Sequence, residues 1–64
     1  MNAAPTREEG VYIECVVNGG LMKVTAIDPK TGTEACVFGP VNAREGLTRN
    51  AVAKLAMVLK KKRE

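Results

Sequence analysis

From Val11 onward, apolar side chains recur at every second position: Val11, Ile13, Cys15 and Val17, with Tyr12, Glu14 and Val16 between them. A period of two sends alternate side chains to opposite faces of a strand, and the β-branched content suits one. The run ends at Asn18-Gly19-Gly20. Asn-Gly is a strong two-residue hairpin signal, because both central residues of a type I′ turn need positive φ. With Asn18 and Gly19 as that pair, Val17 faces Gly20, Cys15 faces Met22, Ile13 faces Val24 and Val11 faces Ala26. Gly19-Gly20 is the alternative pair. The apolar facing pattern favours Asn18-Gly19, and a slip of one residue would set the same face against Leu21, Lys23 and Thr25.

A second strand follows from Leu21 to Asp28, then the loop Asp28-Pro29-Lys30-Thr31-Gly32. Asp28 can accept turn hydrogen bonds, Pro29 presets φ and Gly32 supplies a left-handed residue. A four-residue loop sets Ala26 against Ala35 and Val24 against Val37, and gives a third strand from Thr33 to Phe38. Both turns gather Val11, Ile13, Cys15, Met22, Val24, Ala26, Ala35 and Val37 on one face. Cys36 falls on the other, so a Cys15–Cys36 disulfide is not expected.

Gly39-Pro40 reads as the stop of the last strand. Asn42 is the expected N-cap of a helix, with Glu45 as its capping-box partner. Its apolar stripe is Leu47, Ala51, Leu55 and Val58, flanked by Val52 and Leu59. Gly46 weakens the helix by up to about 1 kcal/mol, and with Ala51 suits a close approach to the strands. A helix from Asn42 to Lys62 is roughly 30 Å long against about 23 Å for a strand, so its last basic turn is expected to overhang into solvent. The fold class is therefore α+β: a three-stranded antiparallel meander followed by one C-terminal helix packed on one face. Residues 1–10 lack alternation and read as a poorly ordered tail, leaving 11–62 as a single domain.

The face away from the helix carries Tyr12, Glu14, Val16, Leu21, Lys23, Thr25, Ile27, Glu34, Cys36 and Phe38, with Glu14 and Lys23 expected to face each other as an ion pair. It holds the chain's single Tyr and single Phe, and it is more apolar than a solvated face should be. This predicts a non-enzymatic interaction module, a homodimer formed through Tyr12, Val16, Leu21, Ile27 and Phe38 or through edge pairing of Val11–Val17.

Composition narrows the chemistry. The 64-residue chain has no His and no Ser, so Ser-His and Cys-His nucleophiles are excluded, and its two cysteines have no zinc-type spacing. Neither a metal nor a cofactor is expected, and no catalytic residue is assigned. A chain this short buries only about 60% of its unfolded surface, which makes a partner subunit a natural source of stability. No stretch approaches the ~20 apolar residues of a membrane span, and a cytoplasmic setting is expected. The net charge of +3 is concentrated in Lys60, Lys61, Lys62 and Arg63. With Arg49 and Lys54 they form the alternative reading, a weak nucleic-acid binder tracking phosphates along the exposed side of the helix.

The stretch Val24-Thr25-Ala26-Ile27-Asp28-Pro29-Lys30-Thr31-Gly32-Thr33-Glu34, with Gly39-Pro40 and the Asn50–Lys62 helix, resembles a family of short uncharacterised bacterial proteins, mainly alphaproteobacterial. The resemblance spans about residues 11–62. It implies a small ββα-type domain of unknown function in a bacterial cytoplasm, and it carries no functional residues.

Overall fold

The computed structural model describes the backbone of residues 6–8 and 10–63 and the side chains of residues 10–62. Four strands, β1 (Thr6–Glu8), β2 (Val11–Asn18), β3 (Leu21–Ile27) and β4 (Glu34–Pro40), form one antiparallel sheet in sequence order. A short 3-10 turn, Val41–Ala43, leads into the helix α1, Arg44–Arg63. The three long strands and the C-terminal helix packed on them are the α+β arrangement expected from the sequence. The short β1 is an addition. It pairs Thr6 with Ile13, Arg7 with Tyr12 and Glu8 with Val11, inside a stretch that reads as a tail. Residues 1–5 and 9 of that tail lie outside the described residues.

The first hairpin turns on Gly19-Gly20, not Asn18-Gly19. Asn18 pairs with Leu21, Val17 with Met22, Cys15 with Val24 and Ile13 with Ala26. Gly19 has a φ of 64°, whereas Gly20 is not among the positive-φ glycines. That combination is what a type II′ turn asks of its two central residues. The unfavourable backbone region thus falls on a residue without a Cβ, and Asn18 stays extended in the ladder. The register differs from the expected one by two residues, so every side chain keeps its face while its partners change. Thr25 lies opposite Glu14 and Val16 opposite Lys23, so the expected Glu14–Lys23 cross-strand pair is not formed.

The second hairpin has the expected register, with Ala26 opposite Ala35 and Val24 opposite Val37. Its loop is held by Asp28. The Asp28 carboxylate accepts from the Lys30 backbone N–H at 3.3 Å and from the Thr31 hydroxyl at 2.8 Å. The Asp28 backbone closes the loop at both ends, donating to Thr33 O and accepting from Gly32 N, each at 2.8 Å, with Gly32 at φ 75°. β4 then runs on through Gly39 to Pro40, past the expected stop. Pro40 cannot donate, and the ladder is carried past it by Val41, whose N–H donates to Gly20 O at 3.1 Å.

The helix entry also differs from the expected one. Asn42 sits inside the 3-10 turn, no side-chain cap bond is made at that turn's start, and α1 begins at Arg44. An N-cap must be extended, and here the extended residue is Pro40, with φ −70° and ψ 149°. Pro40 has no side-chain acceptor to offer.

α1 packs on β3 and β4 and retraces β4: Leu47 lies against Gly39, Lys54 reaches Cys36 and Lys62 reaches Thr33. Fifteen residues of helix rise about 22 Å, close to the roughly 20 Å of six strand residues. The expected overhang therefore does not occur at Lys62, because the first residues after Pro40 are used in turning the chain. The core is Ile13, Cys15, Met22, Val24, Ala26 and Ala35 from the sheet, and Leu47, Ala51 and Leu55 from the helix. Burying a side chain the size of Leu55 or Val24 contributes about 1.5–3 kcal/mol. The stripe continues to Leu59 and not to Val58, with Val52, Val11, Val17, Val37 and Ala43 packed around it. Close approach is made at Gly39. A Cβ on Gly46 would meet nothing within 4 Å, so that glycine is not the contact the sequence suggested.

Candidate functional site

Every second residue of β2, β3 and β4 points away from α1, and the register arranges these residues in rows across the sheet. Tyr12, Ile27 and Glu34 form one row, with Arg7 at the register position beyond Tyr12. Glu14, Thr25 and Cys36 form the next, then Val16, Lys23 and Phe38, and finally Asn18, Leu21 and Pro40. All five residues expected at an interface lie on this face, but in two groups. Val16, Leu21 and Phe38 cluster around Lys23 at the hairpin end, where with Asn18 they line a shallow depression. Tyr12 and Ile27 pair at the opposite end. The Glu14–Thr25–Cys36 row separates them. Phe38 is 62% exposed and Leu21 52%, against 38% for Tyr12, so the hairpin end is the more open apolar surface.

Both edges of the sheet carry something. β1 lies along Val11–Ile13 of β2, which takes that length away from the edge pairing expected of Val11–Val17. On the other side, the Lys54 ammonium donates to the Cys36 carbonyl at 3.1 Å, and the Lys62 ammonium to Thr33 Oγ1 at 3.1 Å. Lys54 and Lys62 each follow a stripe residue, Ala51 and Leu59, by three positions. They stand on the same flank of α1, above the β4 edge. Two of the six basic residues proposed for phosphate contact are thus turned toward β4. Arg49, Lys60 and Lys61 are exposed, and the Arg63 side chain lies outside the described residues.

Cys15 is buried and Cys36 half-buried, on opposite faces, and both are free thiols. Among the described residues, no group of three or more His, Cys, Asp or Glu side chains comes together, and no helix is long and apolar enough to cross a membrane.

A family model described as a domain of unknown function, DUF6898, matches residues 8–62. The chain belongs to this family. Comparison with curated proteins and with solved structures gave no match. The DUF6898 match takes in the three long strands, both hairpin turns, the Gly39–Leu47 contact and α1 as far as Lys62. Of β1 it includes only Glu8.

Sequence reasoning missed two features of this DUF6898 domain. One is β1, where three residues offer no alternation to read. The other is the lysine contact with β4, whose signal is the shared spacing of Lys54 and Lys62 from the apolar stripe.

Proposed function

We propose that this DUF6898 domain is a non-enzymatic interaction module of the bacterial cytoplasm, and that it self-associates through the sheet face opposite α1. The exposure of Phe38 and Leu21 beside Val16 carries the reading: they are large apolar side chains grouped at one end of a face that the helix leaves uncovered. The edges compete poorly, since β1 occupies part of one and Lys54 and Lys62 stand over the other. Size sets the expected strength. Three strands about 4.8 Å apart and seven residues of about 3.4 Å make a face on the order of 350 Å² per copy. A pair of such faces falls below the ~1,200 Å² of stable standard interfaces, so the dimer is weak and concentration-dependent.

Sedimentation from micromolar to millimolar protein tests the proposal. Wild type should shift toward dimer as concentration rises, and Phe38→Asp or Tyr12→Asp should hold it as a folded monomer. A wild-type monomer at the highest concentration overturns it.

The second reading, weak nucleic-acid binding, draws on the exposed Arg49, Lys60 and Lys61. It expects binding to unrelated DNA or RNA that falls steeply with added salt. Amide spectra unchanged by nucleic acid at low salt would remove it.

A further inference from the structure

β4 is an edge strand, and the hydrogen-bond pattern shows which of its backbone groups face outward. Asp28 N donates to Thr33 O and Val41 N to Gly20 O, so residues 33 and 41 bond inward to the β3 side. Antiparallel ladders alternate, which makes 35, 37 and 39 the other inward-bonding residues and leaves Glu34, Cys36 and Phe38 presenting N–H and C=O to the free side. Pro40 ends that row with no N–H to give. The central carbonyl of the row, on Cys36, is the one that accepts from Lys54. Unpaired strand edges recruit other strands, and a lysine on the edge opposes this by charge and by bulk.

We propose that Lys54, aided by Lys62, is the guard of the β4 edge, and that the partner it excludes is β4 of a second copy. Only three residues alternate outward, so antiparallel pairing centred on Cys36 is the register that uses all of them. It sets Cys36 opposite Cys36 and Glu34 opposite Phe38. It also brings two α1 helices side by side above the junction, each with Lys54 and Lys62 on the approaching flank. Four ammonium groups converge there, and each Lys54 would have to leave the carbonyl that the incoming strand needs. The lysines therefore block this pairing twice, by repulsion and by occupying the acceptor. The proposal does not depend on association through the outer face.

The test removes that face first. In a Leu21→Asp background, Lys54→Met retains the side-chain stem and loses the ammonium, while Lys54→Arg keeps charge and donors. Circular dichroism confirms the fold of each variant; Lys54 is exposed, so its replacement leaves no cavity, and Lys54→Gln provides a second neutral variant. Samples are equilibrated in a glutathione redox buffer, and disulfide-linked dimer is quantified and mapped. Directly opposed strand residues about 5.5 Å apart at Cα lie within disulfide range. The expected result is a several-fold rise in Cys36–Cys36 dimer for Lys54→Met and Lys54→Gln, larger again with Lys62→Met, and none for Lys54→Arg. Equal yields in the parent, neutral and arginine variants overturn the proposal, as does an equal rise in all three substitutions.

Discussion

A Cβ on Gly39 would lie 2.6 Å from Cδ2 of Leu47 and 3.2 Å from its Cγ, so α1 rests on β4 at a point where any larger residue would force the Leu47 side chain to shift. Leu47 is a core residue, and it is held there by the chain turning back immediately after Pro40. Gly39→Ala should destabilise the domain by about 1–3 kcal/mol through overpacking. Leu47→Ala should cost roughly 2–5 kcal/mol through the lost contact. The double variant should cost less than the sum, because the alanine methyl then enters the space that Leu47 vacates. Urea denaturation of the four proteins measures the coupling. Additive losses would mean that the two residues do not share the contact.

The first hairpin gives a sharper test, because two turns compete on paper. With Gly19 at φ 64°, Gly19→Ala forces a Cβ into the left-handed region and should cost about 1–2 kcal/mol. Asn18 is extended and exposed, so Asn18→Ala should cost much less. Thermal melts of the two variants decide the matter. Gly19 needs positive φ in either turn, so Asn18→Ala is the deciding variant, and a loss approaching that of Gly19→Ala would place the turn at Asn18-Gly19.

That competition shows what was legible. Parity along each strand assigned every side chain to a face, since a shift of two residues leaves faces unchanged. Burial preference alone could not choose between Gly20 and Met22 as the neighbour of Val17, because both put a small or apolar group there. The turn itself made the choice: it places the positive φ on Gly19 as its first central residue and leaves Asn18 extended, paired with Leu21. The five candidate interface residues were readable from parity, but their division into a Val16–Leu21–Phe38 group and a Tyr12–Ile27 pair depends on register. The helix stripe was readable through Leu55, where spacing by four is unambiguous. It then had to choose between Val58 and Leu59, and the direction in which α1 retraces β4 decided for Leu59. That direction follows from the Pro40 turn and has no counterpart in the periodicity of the stripe.

The two thiols report on opposite faces of the same sheet. Cys15 is 3% exposed and Cys36 only half-buried, so a soluble aromatic disulfide reagent should titrate Cys36 in the native protein and Cys15 only on unfolding. Peptide mapping after a short exposure should find the label on Cys36 alone. Denaturant should add the second label in step with loss of helix signal. Equal labelling of both cysteines in native buffer would contradict the inner placement of Cys15.

Lys62, Thr33, Thr31 and Asp28 form a chain that ties the end of α1 to the second turn. The Thr31 hydroxyl lies 2.8 Å from both the Asp28 carboxylate and Thr33 Oγ1, and Lys62 Nζ lies 3.1 Å from Thr33 Oγ1. Thr31 has one proton, best given to the charged acceptor, so Thr33 donates to Thr31 while accepting from Lys62. Each link therefore orients the next. Thr33 is buried, and Thr33→Val should cost about 1–2 kcal/mol because it removes the middle of the chain. Lys62→Met alone should cost less than about 1 kcal/mol, as expected of an exposed cation. In the Thr33→Val background the same change should cost nothing further, since its acceptor is gone. Hydrogen exchange localises the effect: the Gly32 N–H, bonded to Asp28 O at 2.8 Å, should exchange faster in Thr33→Val while the Val24 and Val37 amides follow global stability. Unchanged protection at Gly32 would show that the turn holds its shape without the helix.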